Sequence, residues 1–147
     1  MILADTPVSP HLLLAIVGGF LVFGSLLWFG ITGFFGAVSW KPLQRQFPAD
    51  RWPAFGEGER FGMQSARIGW TNYNGVLNTV LTDEGLYLQP FKMFAFNHPP
   101  MFIPWEAVER TEPTIMGTRL VLMGGGSIVG YWGLSKLMRE RFGTTPG

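Results

Sequence analysis

The chain has 147 residues, of which 47% are hydrophobic and 14% are charged, and its formal net charge is +1. This length suits one ordinary domain and is short for two. A net charge so close to zero disfavours a nucleic-acid partner, because nucleic-acid-binding domains usually carry a pronounced basic patch. The chain contains no cysteine, which excludes disulfides, thiolate metal ligands and thiol catalysis.

The charged residues are distributed unevenly, and none of them lies between Leu12 and Trp40. As a helix, this stretch would be about 43 Å long, which exceeds the roughly 30 Å hydrocarbon core of a bilayer. A secretory signal peptide is the alternative. However, residues 1–11 contain no basic side chain, and the apolar run is too long for the apolar region of a signal peptide. We therefore predict a transmembrane helix over residues 12–39.

The basic residues near this helix predict its orientation. Residues 1–11 have none, whereas Lys41, Arg45 and Arg51 follow the apolar run closely. By the positive-inside rule we expect a single-pass protein of the inner cell membrane, with residues 1–11 as a short extracytoplasmic tail and the C-terminal portion in the cytoplasm. Trp40 occupies a position that is typical of tryptophans at a membrane interface.

One face of the predicted helix carries small residues. At 100° per residue, six of them fall within about 60° of one line, and small residues let membrane helices approach one another closely. The alternative is that glycine is simply common in membrane helices, and Gly24 on the opposite face is consistent with that. The first reading predicts a packing interface with integral membrane protein subunits, formed by Ala15, Gly18, Gly19, Gly33, Gly36 and Ala37.

The remaining chain is predicted to be mainly β. Residues 40–62 are proline- and glycine-rich and predict a juxtamembrane segment followed by a loop. From Met63 onward short alternating runs predict six or seven strands, with a tight turn at Asn74-Gly75 and a short helix over 135–142. No helix is predicted between the strands, which excludes a parallel α/β fold. Residues 63–147 are therefore expected to form a bent antiparallel sheet, or partly open barrel, closed by the C-terminal helix.

Two runs in this region resemble a known family. Leu81-Thr-Asp-Glu-Gly-Leu-Tyr-Leu88 and His98-Pro-Pro-Met-Phe-Ile-Pro-Trp-Glu106 resemble small bacterial single-pass membrane proteins of unassigned function, and more broadly bacterial pleckstrin-homology-like (PH-like) domains. The resemblance covers about residues 63–142 and implies a seven-stranded, strongly bent antiparallel sheet with a C-terminal helix. Phosphoinositide-binding members need several bases around the first hairpin. Here Arg67 is the only base between Gln64 and Leu81, so the pattern does not favour a headgroup site.

No constellation of residues predicts catalysis or a metal or cofactor site. His98 lies beside two prolines without a partner at a familiar spacing, which favours a loop-structuring histidine that bonds the backbone. His11 is expected to cap the membrane helix rather than to ligate a pigment. The acids Glu106, Glu109 and Glu112 are expected to be exposed around a turn rather than to bind a cation. We expect a protein that is not an enzyme.

The aromatic residues of the β portion outnumber what a small sheet core readily holds. Those beside prolines are the hardest to bury and predict a surface for a partner. This predicted docking loop consists of Phe94, Phe96, His98, Pro99, Pro100, Phe102 and Trp105.

Together these features predict a non-catalytic accessory subunit of a larger membrane assembly, such as a respiratory or photosynthetic complex. Its helix would pack laterally in the bilayer and its cytoplasmic domain would dock on the partner. The alternative is a solitary membrane-anchored sensor or lipid-contacting module. Whether pigments or lipids touch the protein beside the helix stays open.

Overall fold

The computed structural model describes residues 7–142, and the chain divides into two compact units, Met1–Ile31 and Thr32–Gly147. Helix α1 (Pro10–Phe35) starts at a proline, which suits a first helical position because it has no N–H to leave unpaired. The carbonyl of Ser9 accepts the first helical hydrogen bond, from the Leu13 amide at 2.9 Å. A long apolar N-terminal helix is thereby confirmed, and it begins two residues before the predicted start at Leu12.

Helix α1 is long and apolar enough to cross a membrane, and it is the one such helix among residues 7–142. Its most apolar window contains no buried residue. The α-helix then gives way to a π-helix (Gly36–Trp40) and resumes as α2 (Lys41–Gln44). Helical backbone therefore continues five residues past the predicted end at residue 39. Single π-turns of this kind mark places where a helix departs from ideal geometry to fit its surroundings.

The second unit contains a seven-stranded antiparallel sheet with the strand order β4-β3-β2-β1-β7-β6-β5. The mainly-β class and the C-terminal helix predicted from the sequence are confirmed. Short 3-10 helices at Lys92–Phe94 and Trp105–Ala107 lie on either side of β4, and helix α3 (Trp132–Phe142) follows β7. The strands are β1 (Glu59–Ile68), β2 (Thr71–Leu81), β3 (Gly85–Pro90), β4 (Met101–Pro104), β5 (Val108–Pro113), β6 (Gly117–Leu122) and β7 (Ser127–Tyr131).

The predicted tight turn at Asn74-Gly75 is wrong, because both residues lie within strand β2. The pairs Ala66–Tyr73 and Gln64–Leu77 enclose two more residues on β2 than on β1, so this segment is a bulge. Gly75 has φ +68°, a conformation that glycine adopts without steric cost. The β1–β2 turn lies instead at Gly69 and Trp70.

Two further boundaries differ from the prediction. Strand β1 begins at Glu59, inside the segment 40–62 that was predicted to be a juxtamembrane segment and loop. Strand β5 (Val-Glu-Arg-Thr-Glu-Pro) was not predicted as a strand, because it lacks apolar alternation. It pairs with β6 and forms one edge of the sheet, where charged side chains and proline are typical because they discourage pairing with another chain.

The core lies on one face of the sheet and is closed by Leu134 and Met138 of α3, which are 0% and 2% exposed. Trp40 and Leu43 also belong to this core. Trp40 is 0% exposed, so it is a core residue and not the interfacial tryptophan that the sequence predicted. The strand residues of the core are Ala66, Ile68, Leu77, Leu86, Leu88, Ile103, Leu120, Leu122 and Ile128, together with Tyr73 and Met101.

Candidate functional site

The small residues of α1 fall into two groups. Ala15 and Gly19 are exposed, and Gly18 is partly exposed. A Cβ atom built on Gly18 or Gly19 would meet no atom of residues 7–142 within 4 Å. Within the described part of the chain, nothing packs closely against this half of the predicted helix-packing interface.

The other half of that predicted interface is occupied from within the second unit. A Cβ on Gly33 would lie 2.9 Å from the Phe96 ring, and one on Gly36 would collide with the Asn97 carbonyl oxygen. The Asn97 side-chain amide donates a hydrogen bond to the Gly33 carbonyl at 2.7 Å. Ala37 is exposed. Gly33 and Gly36 thus give the Phe96–Asn97 segment room to pack against the helix backbone.

His98 is buried, with 2% of its surface exposed. Its Nδ1 lies 2.7 Å from the Phe96 carbonyl oxygen and its Nε2 lies 3.0 Å from the Tyr73 hydroxyl. Because a carbonyl can only accept, Nδ1 carries the proton of the neutral ring and Nε2 accepts from Tyr73. Burial lowers the pKa of His98, and the charge of Lys41 acts in the same direction, whereas the bond to Phe96 opposes them. Both ring nitrogens are therefore committed to structural hydrogen bonds.

Trp40 completes this cluster. Its ring centroid lies 5.5 Å from those of both Tyr73 and His98, and its indole N–H donates to the Pro99 carbonyl at 2.6 Å. Burial raises the pKa of the Tyr73 phenol, which favours its neutral, hydrogen-bonding form. We call Trp40, Tyr73 and His98 the aromatic clamp, because it joins the end of the helical segment to β2 and to the loop before β4.

The rest of the predicted docking loop also packs largely on its own domain. The Pro100 carbonyl accepts from the Ala49 amide at 3.2 Å, and the Trp105 indole N–H donates to the Thr82 carbonyl at 2.8 Å. The Phe102 ring lies 4.4 Å from the Tyr87 ring. Phe94 is partly buried and Phe96 is 50% exposed. The loop that the sequence marked as a partner surface is thus mostly bound to its own fold, and its docking role stays a prediction.

A second surface lies on the face of β1, β7, β6 and β5 that points away from the core. It is an open groove of about 1320 Å³. One row of directly paired residues crosses it from β2 to β5, and paired residues of an antiparallel sheet share a face. That row consists of Asn72, Arg67, Val129, Arg119 and Glu112. We call this surface the arginine groove. Its remaining lining includes Asn74, Arg110, Ile115, Met116, Tyr131 and Trp132.

The three arginines of the groove are not equally compensated. Glu112 Oε1 lies 2.8 Å from Arg110 Nε, and Glu112 Oε2 lies 3.5 Å from Arg119 Nη1. The hydrogen bond from Arg110 has the largest effect in lowering the pKa of Glu112, and the bond from Arg119 acts in the same direction. Arg67 is exposed and forms no ion pair with any residue in the range 7–142. Glu109 Oε1 also lies 3.7 Å from Arg110 Nη1. The three arginines therefore meet two carboxylates, both on Arg110, and the charge of Arg67 faces solvent.

Sequence reasoning missed the arginine groove because its cations come from three separate strands. Counting bases around the first hairpin finds Arg67 alone, whereas Arg110 and Arg119 reach the same face through the β1–β7–β6–β5 order. On β6, the apolar residues alternate with Arg119, and this alternation could have placed Arg119 on the face opposite the core. Strand β5 has no such alternation, so Arg110 and Glu112 could not be placed on the same face from the sequence.

Residues 7–142 contain no group of three or more histidine, cysteine, aspartate or glutamate side chains arranged to hold a metal ion. Comparison with protein-family models, with curated proteins and with solved structures found no match to this chain.

Proposed function

We propose that this protein is a non-catalytic accessory subunit of a larger membrane protein complex. The observation that carries the proposal is the arginine groove, an open and charged sheet face of about 1320 Å³ that the domain does not use for its own core. Enclosed, mostly apolar clefts are typical of small-molecule sites. An open polar face is better suited to another macromolecule. In this function the β domain docks on a partner and α1 holds it at the membrane.

The chemistry of His98 supports a structural rather than a catalytic role. Its two ring nitrogens already bond Phe96 and Tyr73, and the ring is buried against Trp40. A general base needs a free nitrogen within reach of a substrate proton. A histidine held in this way stabilises the loop before β4.

The membrane part of the proposal rests on α1. Its length and lack of charge suit a single span of the inner membrane of a bacterium. The basic residues that follow it, Lys41, Arg45 and Arg51, favour an orientation with the β domain in the cytoplasm. Gly18 and Gly19, with Ala15, would pack against an integral membrane subunit.

The arrangement of the β domain supports a PH-like fold. Seven antiparallel strands followed by one C-terminal helix agree with what the sequence resemblance implies. In this fold the helix closes one end of the bent sheet, as Leu134 and Met138 do here.

A matched pair of helix variants tests the proposal. We expect the wild-type chain, solubilised from its native membranes in mild detergent, to migrate on native gels with a partner complex. Gly19→Leu should release the chain from it, because leucine blocks close approach on the predicted face. Gly24→Leu, on the opposite face, should not. At either glycine a Cβ atom meets nothing within 4 Å among the residues that the structure describes, so neither position is crowded by them. A wild-type chain that migrates alone would refute the accessory-subunit function.

A lipid-contacting module is the second candidate. It is favoured by a smaller pocket of about 280 Å³ that shares Gly125, Gly126 and Ser127 with the arginine groove. This pocket is also lined by Val38 and Ser39, which are the last two residues of the predicted membrane helix. Arginines near a membrane surface attract anionic lipids. Binding of a short-chain anionic lipid that depends on Arg67 would favour this candidate over the first.

A further inference from the structure

We propose that the arginine groove binds an acidic, carboxylate-rich segment of a protein partner. This inference rests on the accessory-subunit function proposed above and names the chemistry of the contact.

The groove already binds one carboxylate of its own chain. Glu112 places one oxygen on Arg110 and the other on Arg119, at 2.8 and 3.5 Å. Guanidinium groups present paired N–H donors that match the two oxygens of a carboxylate. The contact with Glu112 therefore shows that Arg110 and Arg119 can bind a carboxylate while their side chains remain on the sheet surface.

Arg67 provides a second position for a carboxylate. It lies two strands from Arg119 on the same row, with Val129 between them, which corresponds to roughly 10 Å across the sheet. The neighbouring groups are hydrogen-bonding side chains: the Tyr131 hydroxyl donates to Oδ1 of the Asn72 side chain at 3.0 Å. A carboxylate from another chain can satisfy Arg67 without displacing Glu112.

The size of the groove favours a chain segment over a single ion. It spans four strands, about 15 Å, and its volume of about 1320 Å³ exceeds the roughly 300–1000 Å³ of typical small-molecule clefts. An extended peptide advances about 3.3 Å per residue, so four or five residues would cross it. Three arginines against Glu112 and Glu109 leave an excess of positive charge, centred on the unpaired Arg67, that selects for negative charge in those residues.

The rim of the groove adds an apolar element. Ile115, in the β5–β6 turn, is fully exposed, and Met116 beside it is 60% exposed. At the other side Trp132 is 64% exposed and has φ +44°, a conformation that is costly for a bulky residue. We therefore expect the partner segment to place an apolar residue beside its acidic ones.

The test is a fluorescence-anisotropy titration of the full chain, purified in a non-ionic detergent. The probe is a fluorescein-labelled peptide of alternating glutamate and glycine that ends in two leucines. Its control has glutamine in place of each glutamate. We expect the acidic peptide to bind and the glutamine peptide to bind at least about tenfold more weakly. Binding of the acidic peptide should weaken as ionic strength rises, because salt screens exposed charges.

Three variants locate the binding site. Arg67→Gln should weaken binding about tenfold, since it removes the unpaired cation. Glu112→Gln should tighten binding about threefold or more, because it frees Arg119 and leaves Arg110 with only its longer contact to Glu109 at 3.7 Å. Arg139→Gln is the matched control: it removes the same charge from the exposed surface of α3, outside the groove, and should leave binding within about twofold of wild type.

Two results would overturn the inference. Equal weakening by Arg67→Gln and Arg139→Gln would mean diffuse charge attraction and no defined site. Failure of the acidic peptide to bind, together with Arg67-dependent binding of dihexanoyl phosphatidylglycerol, would assign the groove to lipid. The accessory-subunit function fails in a separate measurement, the migration of the chain from native membranes, which does not depend on the peptide titration.

Discussion

Trp40 offers the sharpest test of how the β domain is held together. Trp40→Phe keeps an aromatic ring but removes the indole N–H that donates to the Pro99 carbonyl at 2.6 Å. Leaving that partly buried carbonyl without its donor costs about 1–2 kcal/mol. Because Trp40 is 0% exposed, the smaller ring also leaves a void that costs about 1 kcal/mol. We expect a loss of about 2–3 kcal/mol in the free energy of unfolding.

The assay is thermal unfolding of the full chain in non-ionic detergent, followed by near-ultraviolet circular dichroism. At about 4 °C per kcal/mol for a domain of this size, the Tm should fall by roughly 10 °C. Trp132→Phe is the control, because Trp132 is 64% exposed and the change should cost less than about 0.5 kcal/mol. Equal melting of the wild type and Trp40→Phe would refute the role of the aromatic clamp in stability.

Three further predictions concern the same domain. Gly36→Ala should lower the Tm by several degrees, because the added methyl group collides with the Asn97 carbonyl oxygen, whereas Gly24→Ala should not lower it. His98 has a lowered pKa in the folded state, so the unfolded chain takes up its proton first. Stability should therefore hold above about pH 6.5 and decline below it, by at most about 1.4 kcal/mol per pH unit, and His98→Gln should remove that decline. Ile115→Ser should leave the Tm unchanged, because Ile115 is fully exposed, yet weaken binding of the leucine-tailed acidic peptide.

The sequence predicted those elements of the fold whose patterns are local. Absence of charge over 12–40 indicated α1, and alternation around a run of glycines indicated the β6–β7 hairpin. The Asn-Gly signal failed because the same left-handed glycine conformation serves a bulge as well as a turn, and only pairing with β1 distinguishes the two. Strand β5 was missed because an edge strand with four charged or proline residues has no buried face to impose a pattern.

The candidate site was harder to predict because its features are long-range. Helical periodicity placed Gly33 and Gly36 on one face with Gly18 and Gly19. It could not show that the first two accommodate the Phe96–Asn97 segment of the same chain. His98 was expected to bond the backbone, and it does, but its contact with Tyr73 spans 25 residues of sequence. Local spacing therefore found the residue types, and the strand order determined which of them meet.

The arginine groove and the core are two consequences of one register. On β1 the alternation sends Ala66 and Ile68 to the core and Arg67 to the other face. The pairing with β7 places Ile128 with the core residues and Val129, which is 7% exposed, on the face of Arg67. A shift of the strand register by one residue would exchange the two faces and bury the arginine side chains of the groove. Burial of these charges would cost more free energy than the fold can offset. The packing of the core therefore fixes the spacing of the groove's cations. Because the arginine side chains are exposed and contribute little to that packing, Arg67 can be replaced without loss of the fold, and its removal reports on binding alone.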